Sequence, residues 1–538
     1  MGPLTFLSAS MLGLGCTAAP PPDRPQGGLD DSTASPIATE LFASEPVLSA
    51  SAALVGGARR LEVHALTDAT LEVSCAGPSG LRTVTWPAGQ DFDVPWVGLH
   101  PQEDHTLTLT LTADDGRTDR RTLSVRGDEL PVNLPDLDVL TPPDGGTLNG
   151  HTLFATTSPG APGAWMLLLD PQGTLVWWAY TAVRVGTLER TSTGTLLGLG
   201  EADIVEWDWL GTPLRHWTTR PDGEGTPIVG ASYVHHELVA TSSGLLLTLD
   251  HVAAEVDDVP ISYTDLETLS PARIADDRIL AIDPNGQLVQ TVSLAERLPT
   301  SRISFDSLTP VGPLEGALDW AHANGLAVDD DDGWVVSLRH QDALVKLDAN
   351  GELAWILGDP SGWPLPWRDQ LLVADGALTW PYHQHAPELR REDDGLHLLL
   401  FDNVNRGHTP YTEAPAARPS RLVEYVVDEA QGTVREAWSF ELTEDGPLAA
   451  PALGDADRLS NGHILGVWGM LAEEEGVPHA EQGRADRSAR IAEVDPSRQA
   501  VVFDLRVSWP RSRGTEGWTV YRAQRIERLH PTALLETP

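Results

Sequence analysis

The chain has 538 residues, of which 41% are hydrophobic and 21% are charged, and its formal net charge is −42. This composition is typical of a folded globular protein and excludes a disordered or fibrous chain. The strongly acidic character disfavours binding to nucleic acid, whose phosphates carry charge of the same sign. Lys346 is the only lysine. The sequence therefore lacks the Gly-rich loop and lysine that cradle nucleotide phosphates in many enzymes.

The N-terminal segment resembles a bacterial lipoprotein signal. An apolar run ends in small residues before Cys16, and a Pro-rich stretch follows. Basic residues are missing from the start, and Gly13 stands where such signals usually have Leu. A plain secretory signal or a wrongly assigned start are the alternatives. We expect residues 1–16 to be a signal segment with lipidation at Cys16, residues 17–44 to be a flexible tether, and the protein to be periplasmic or at the cell surface, tethered to the outer membrane of a bacterium.

Short alternating segments follow the tether. Polar and apolar residues alternate with a period of two in segments that include 61–66, 70–75 and 106–111, which is the pattern of half-buried strands. We therefore predict a small β-sandwich domain over residues 45–130. Cys75 lies in one of these segments, and we expect its thiol to be buried and inert.

A repeat begins near residue 140. Each unit contains an apolar strand, a turn related to Asp-x-x-Gly, and a second strand that often carries Trp. The Asp caps its own backbone and the Gly takes a positive φ, so this turn predicts a hairpin. The six turns begin at Asp170, Asp208, Asp283, Asp348, Asp428 and Asp495.

Most units also contain an earlier turn, which makes four strands per unit. We assign these turns to Ser243–Gly244, Asn324–Gly325, Asp394–Gly395 and Asn461–Gly462. Six units that cannot each bury their own apolar face predict an all-β protein with a six-bladed β-propeller over residues 140–530. Two stacked β-sandwiches are the alternative. The 18 Trp residues are expected to pack between blades.

Histidine and arginine concentrate in four segments of the repeat region. These are 233–238, 319–325, 336–342 and 383–387. Three of them directly precede the first strand of successive blades, and equivalent positions in a propeller project to the same face, so we expect their His side chains to converge. An isolated His is ordinarily a satisfied core or turn residue, and Arg339 alone would be a surface or ion-pair residue. The equivalent placement in three blades favours a functional site.

A pocket of His and Arg supports two kinds of chemistry. Imidazole binds zinc, but carboxylates are not interleaved with these His residues in the sequence and no HExxH motif is present, so we predict no metal and no cofactor. The run Asp329–Gly333 is interpreted as a solvated hairpin tip. The second chemistry is transfer of an anionic group through a nucleophilic histidine, with Arg binding its oxygens and other His residues moving protons.

These segments resemble bacterial aryl-sulfate sulfotransferases over roughly residues 140–530. The most specific stretch runs from Asp319-Trp320-x-His322-x-Asn324 through 337–348 to 351–358. The resemblance continues at Gln384-His385, at Phe401-Asp402-Asn403, at 420–425 and at 521–526. The segment His235-His236-Glu237 is similar to the family's His-His-Asp.

The resemblance implies a six-bladed propeller behind an N-terminal β-sandwich. It also implies transfer of a sulfuryl group from a phenolic sulfate ester to a phenol, without a nucleotide sulfate donor and through a sulfated histidine. On the family's pattern the nucleophile is His385. His322 and Arg339 hold the sulfate oxygens and assist the leaving phenolate, and His236 or its neighbour His235 is the remaining catalytic histidine. His235 and Asn324 are assigned to binding.

Several expectations accompany this assignment. His383 is a rival nucleophile, His340 is expected to point away from the site, and Trp320 or Tyr382 is expected to stack on a phenyl ring. The partners would be the donor ester and the phenol, with no nucleic acid and with membrane contact only through a lipid anchor. The sequence leaves the oligomeric state open, a homodimer included. Two other functions compete: a non-catalytic ligand- or partner-binding propeller lipoprotein, and a metal-dependent hydrolase or lactonase.

Overall fold

A computed structural model describes residues 40–241, 243–404, 419–443, 446, 448–474, 477–478, 486–509 and 517–537. Over these ranges the chain is built from β-strands, with two short 3-10 helices at Arg339–Gln341 and Trp367–Gln370. The all-β prediction is confirmed. None of the helices within the described ranges has the length and apolar character that crossing a membrane requires. Cys16, the predicted signal and nearly all of the predicted tether lie outside the described residues.

Five of the first seven strands, the first and the third to sixth, form an N-terminal sheet with a dense core, while the second and seventh pair with strands of other sheets. The strands in order are β1 Val47–Ala50, β2 Val55–Gly56, β3 Ala58–Gly77, β4 Gly80–Val97, β5 Asp104–Ala113, β6 Thr118–Arg126 and β7 Asp136–Thr141. The long β3–β4 hairpin is interrupted between His64 and Ala69; β1 pairs with the first half of β3 and β5 with the second half. Cys75 is a buried free thiol in this core, and burial raises its pKa. The β-sandwich boundary at residues 45–130 stays a prediction.

All later strands except the last, together with β2 and β7, form six further sheets within the described residues. The first sheet contains β8 His151–Thr157, β9 Ala164–Leu169 and β10 Leu175–Thr181. The second contains β11 Thr187–Arg190, β12 Leu196–Leu199, β13 Asp203–Trp207, β14 Pro213–Thr218 and β15 Thr226–Pro227. The third contains β16 Val234–Ala240, β17 Leu246–Ser262, β18 Asp265–Ile282 and β19 Leu288–Ser293. The next two use β20 Ala323–Val328, β21 Trp334–Leu338, β22 Ala343–Leu347, β23 Leu353–Gly358; and β24 Val373–Ala374, β25 His385–Glu392, β26 Gly395–Asp402, β27 Arg421–Asp428, β28 Thr433–Glu441. The last strands are β29 Asp455–Arg458, β30 Ile464–Glu474, β31 Val477–Pro478, β32 Asp486–Asp495, β33 Ala500–Ser508, β34 Thr519–Ile526 and β35 Leu535–Thr537.

Strands distant in sequence close the ring of sheets. β34 pairs with β8 and supplies the first strand of the first sheet, while β7 pairs with β33 at the outside of the last sheet. The first strands β11, β16, β20, β25, β29 and β34 each contact those of the neighbouring sheets, so they line the centre. This is a β-propeller-like fold, as predicted; a count of six blades for the whole chain stays a prediction.

Two further pairings connect the N-terminal region with the ring. β35 pairs with β4, and β2 pairs with β10 of the first sheet of the ring. Neither pairing was predicted, because both join strands far apart in sequence.

The repeated turn occupies the same place in every sheet. It joins the third and fourth strands in all six. At Asp348, the carboxylate accepts the backbone N–H groups of Asn350 and Glu352, both at 2.9 Å, and Gly351 has a φ of 81°. These bonds lie within five residues, which is why the sequence alone predicts the turn.

One of the earlier turns was placed wrongly. Asn324 and Gly325 lie inside β20, at an irregularity in its pairing with β21. The actual hairpin turn is Asp329–Gly333. It is not fully solvated, since Asp329 is buried and forms ion pairs with Lys346 and Arg391. Only the folded structure brings these two cations to the turn.

The Trp residues pack between sheets, as predicted. Trp355 belongs to a buried cluster that combines residues of the fourth sheet of the ring with Leu398 and Tyr425 of the fifth. Trp177 of β10 meets Trp209, beyond β13, edge to face at 5.0 Å between ring centroids. Each sheet therefore buries its faces against its neighbours, which holds the central strands in register.

Candidate active site

Irregularities in the first strands shape the centre of the ring. The pairing of these strands slips between His235 and Leu238, between Ala323 and Gly325, between His385 and Glu388, and between Val520 and Ala523. His236 sits in one such bulge with a φ of 58°, and His322, just before β20, has a φ of 50°. A bulge redirects the side chain that it carries. The same device in successive sheets directs side chains to one place.

The predicted residues do come together. The ring centroids of His236 and His322 are 4.9 Å apart, and those of His322 and His340 are 4.6 Å apart. Tyr521 bridges the remaining gap, with its ring 5.8 Å from His236 and 6.1 Å from His385. The site thus combines side chains from four sheets of the ring.

His385 is held in one tautomer. Its Nδ1 is 2.7 Å from Asn403 Oδ1, and the Asn403 amide nitrogen donates to the carbonyls of Ala450 and Leu453 at 2.7 and 2.9 Å. Because that amide group is committed to two carbonyls, its oxygen accepts and His385 Nδ1 carries the proton. Burial lowers the pKa of His385 well below the ordinary value, and the nearby Arg339 adds to this. His385 is therefore a neutral imidazole whose Nε2 lone pair is available.

Arg339 is a buried cation with spare hydrogen-bonding capacity. It begins the 3-10 helix after β21 and is 4% exposed. One terminal nitrogen lies 3.7 Å from the Asp306 carboxylate and the other donates to the Pro451 carbonyl at 3.2 Å. Its buried Nε has no partner among the described residues. A buried guanidinium with a free N–H is suited to binding an oxyanion.

His340 belongs to the site, which corrects the expectation that it points away. Its Nδ1 donates to the Asp319 carbonyl at 2.6 Å, and its Nε2 is hydrogen bonded to Arg339. The expectation assumed that β21 continues through residue 340, but the chain leaves the strand after Leu338 and turns in a 3-10 helix. His340 therefore orients Arg339.

Asp319 supports His322. Its carboxylate lies 2.7 Å from His322 Nδ1. Burial acts to raise the pKa of Asp319, but His322 and His340 together hold that pKa below its ordinary range. A carboxylate hydrogen bonded to Nδ1 fixes the orientation of the imidazole, which suits His322 to proton transfer.

His235 and His236 form a pair in which His236 is nearer the centre. Their Nδ1 atoms are 2.7 Å apart, so one donates to the other. The neighbouring Glu237 turns away: it forms an ion pair with Arg522 and accepts the N–H of Leu326 at 3.1 Å. Glu237 therefore links sheets rather than facing the site.

Asn324, the other predicted binding residue, contacts Gln384, the residue directly before His385. Its side-chain nitrogen donates to the Gln384 carbonyl at 2.8 Å, and its Oδ1 is buried without a partner among the described residues. Its backbone carbonyl accepts the Tyr521 hydroxyl at 2.7 Å. Asn324 thus ties His385 and Tyr521 into one frame.

The other aromatic and His candidates are occupied elsewhere. Trp320 donates its indole N–H to the Arg302 carbonyl, and Tyr382 donates its hydroxyl to the Asp359 carboxylate. His383 donates from Nε2 to the Phe305 carbonyl at 3.1 Å. Tyr521 places its aromatic ring beside His236 and His385. The sequence pointed to Tyr521 only through its family-like context, because nothing local indicates that a strand near the C-terminus enters the first sheet of the ring.

A cavity of about 270 Å³ adjoins the centre. Its lining includes Thr187, Tyr233, His235, His236 and Tyr521. The cavity gives a small molecule a place beside His236 and Tyr521.

Carboxylates lie closer to the His residues than the sequence indicated. Asp319 groups with His322 and His340, and Asp277 groups with His235 and His251, in each case with ligand-type atoms within 4.8 Å of one another. Asp319 is only three residues before His322 in the chain, whereas Asp277 reaches His235 and His251 through the pairing of strands, so carboxylates do accompany these His residues. The first of these groups is already hydrogen bonded to Arg339 through His340.

Comparison with known proteins gives a family match. The arylsulfotransferase (ASST) family model matches residues 148–522. The arylsulfate sulfotransferase AssT of Escherichia coli O6:H1 is 25% identical over 47% of this chain, and that of Lelliottia amnigena is 27% identical over 30%. These matches span 46% and 34% of the two relatives, so less than half of each relative's length is covered.

Solved structures resemble the chain only loosely. A protein of unknown function from Bacteroides caccae has a TM-score of 0.39 at 11% identity, covering 71% of this chain and all of its own. A streptogramin B lyase has a TM-score of 0.30 at 12% identity, covering 62% of this chain and 94% of its own.

Proposed function

The chain belongs to the arylsulfotransferase family, and on that premise we propose that it transfers a sulfuryl group from a phenolic sulfate ester to a phenol through a sulfated His385, without a nucleotide donor. The observation that carries this proposal is the His385–Asn403 hydrogen bond of 2.7 Å, which leaves Nε2 of a neutral imidazole as the nucleophilic atom. The His322–Asp319 pair and Arg339 support it, because they supply the acid and the oxyanion site that the reaction needs.

The first half-reaction forms the covalent intermediate. His385 Nε2 attacks the sulfur of the donor, an N–S bond forms and the S–O bond to the aryl group breaks. The phenolate leaves with the electron pair of that bond and takes a proton from His322, whose cation is stabilised by Asp319. Arg339 binds the sulfuryl oxygens as the transition state forms.

The second half-reaction reverses the first with a new phenol. Neutral His322 removes the acceptor's proton, the phenol oxygen attacks the sulfur, and the N–S bond breaks to restore His385. Donor and acceptor occupy the same place in turn. The absence of a nucleotide donor accords with a chain that has a single lysine, itself paired with Asp329.

His236 is the better candidate for the remaining catalytic histidine. Its ring faces both His322 and Tyr521, whereas His235 lies behind it and faces His251. His236 is placed to contact a sulfuryl or phenol oxygen, and His235 acts on it through the hydrogen bond between their Nδ1 atoms.

The function is tested with 4-nitrophenyl sulfate as donor and phenol as acceptor. We expect nitrophenolate release to require phenol and to yield phenyl sulfate, with no added nucleotide. Because the pKa of His385 is well below 6.5, protonation of the nucleophile should not reduce kcat/KM between pH 7 and pH 6.5. Failure to release nitrophenolate from any aryl sulfate would favour the non-catalytic, ligand-binding propeller.

Export and lipidation are part of the same proposal. Cys16 follows an apolar run of small and aliphatic residues, which supports a lipid-tethered protein of the bacterial envelope. Cys16→Ala should release the protein from the membrane fraction. A variant that stays membrane-associated would contradict lipidation at Cys16.

A further inference from the structure

Behind His236, three buried side chains share one face of the third sheet of the ring. His251 of β17 and Asp277 of β18 are directly opposite each other in the strand pairing. His235 of β16 pairs with Leu249, two residues before His251. Directly opposed and diagonal neighbours project from the same face of a sheet. Three adjacent hydrogen-bonded strands therefore hold one carboxylate and two imidazoles in a fixed arrangement.

Two ring nitrogens of this cluster lack hydrogen-bond partners. His235 Nε2 and His251 Nε2 are both buried and have no hydrogen-bond partner among the described residues. His235 is 8% exposed and His251 is 7% exposed. The His235 and His251 ring centroids are 4.8 Å apart, and His235 Nε2 lies 3.4 Å from Asp277 Oδ1. Buried polar atoms are nearly always satisfied, so two such atoms beside one carboxylate point to an absent ligand.

We propose that His235, His251 and Asp277 bind a divalent first-row transition metal ion of the zinc type. Two imidazole nitrogens and a carboxylate oxygen are a common set for such ions, with a further position for water. Ligands at ~2.0–2.1 Å from a tetrahedral zinc ion are about 3.3 Å apart, which matches the 3.4 Å between His235 Nε2 and Asp277 Oδ1. His235 also lines the cavity described above.

The backbone holds the carboxylate of the cluster in place. The second carboxylate oxygen of Asp277 accepts the N–H of Ala323 at 3.1 Å, which orients the ligand.

Two other clusters of the described residues do not share these features. In the group of Asp319, His322 and His340, both ring nitrogens of His340 are already hydrogen bonded, one of them to a cation. In the group of Glu392, Asp394 and His397, both ring nitrogens of His397 bond to carboxylates and the acids are exposed. Neither cluster has a buried ring nitrogen that lacks a hydrogen-bond partner among the described residues.

The metal would also determine the tautomer of His236, a consequence that rests on the proposed function. With Nε2 bound to the ion, His235 carries its proton on Nδ1 and donates it to His236 Nδ1, 2.7 Å away. His236 then carries its own proton on Nε2. It becomes a hydrogen-bond donor to a sulfuryl oxygen rather than a base.

The test measures metal directly. Purified protein is stripped with a chelator, incubated with zinc and freed of excess ion, and its metal content is determined by mass spectrometry. We expect one zinc ion per chain, and a melting temperature that rises by several degrees on zinc addition. His251→Gln and Asp277→Asn should each abolish both effects. His216→Gln is the matched control, since His216 is hydrogen bonded to Asp203 outside the cluster. This variant should bind zinc and gain melting temperature as the unchanged protein does.

The outcomes separate this proposal from the sulfotransferase proposal. Less than a tenth of an ion per chain with zinc, manganese, cobalt and ferrous iron alike would overturn the site, whatever the activity. Stoichiometric zinc that persists in both folded variants would also overturn it. Zinc that is lost in both variants supports the site even if no aryl sulfate is cleaved, because metal content does not depend on turnover.

Discussion

His385→Asn will abolish cleavage of an aryl sulfate donor, with a loss of kcat on the order of 10⁴-fold or more. The reason is that Asn has no nucleophilic nitrogen at the position of Nε2. The fold should persist, since Asn retains a polar group able to bond to Asn403. Nitrophenolate release measures the rate, and the melting temperature reports the fold.

The same experiment can locate the covalent intermediate. Protein mixed with donor and no acceptor should gain a sulfuryl group of roughly 80 Da on the peptide that contains His385. His383→Asn is the matched control, because His383 is an equally buried His that bonds to the Phe305 carbonyl instead of Asn403. A label on His383, or near-normal turnover of His385→Asn, would show that the nucleophile is misassigned.

Arg339→Lys should reduce kcat/KM by about 10²–10³-fold, as loss of an oxyanion-site donor does in other acyl- and group-transfer enzymes. Lysine keeps the charge but not the planar set of donors, including the unpaired Nε, that fits the oxygens of a sulfuryl group. His340→Asn should give a smaller loss, because it removes the side chain that bonds to Arg339.

Arg490→Lys provides the control for this substitution. Arg490 is as buried as Arg339, but it pairs with Asp504 in the last sheet of the ring. The Arg490→Lys substitution should lower the free energy of unfolding while leaving kcat/KM unchanged. If Arg339→Lys keeps near-normal kcat/KM while remaining folded, Arg339 does not bind the transferred group.

Local patterns accounted for the parts of the protein that depend on local physics. Each Asp-x-x-Gly turn satisfies its hydrogen bonds within five residues, as at Asp348, so the hairpins could be predicted one by one. The alternation of buried and exposed residues in β3 and β5 depends on the pleat of a single strand. The equivalent positions of His236, His322 and His385 followed from the repeat.

The errors arose where a short segment leaves its pattern. Asn324–Gly325 has the composition of a turn, yet it lies inside β20, at an irregularity in the pairing of β20 with β21. His340 follows a strand with a period of two, but a 3-10 helix begins after Leu338 and brings its ring beside His322. Neither departure has a local signal.

The sequence by itself determined the all-β class and the hairpin turns, because these rest on contacts within one repeat unit. It also identified His236, His322 and His385 as residues at equivalent positions of successive units, although their contacts with one another cross between sheets. Only the tertiary structure decided the closure of the ring by β34 and β7, the entry of Tyr521 into the site, and the meeting of His235 with His251 and Asp277. Those features join residues far apart in the chain. Their proximity depends on how whole sheets pack, which no short window of sequence contains.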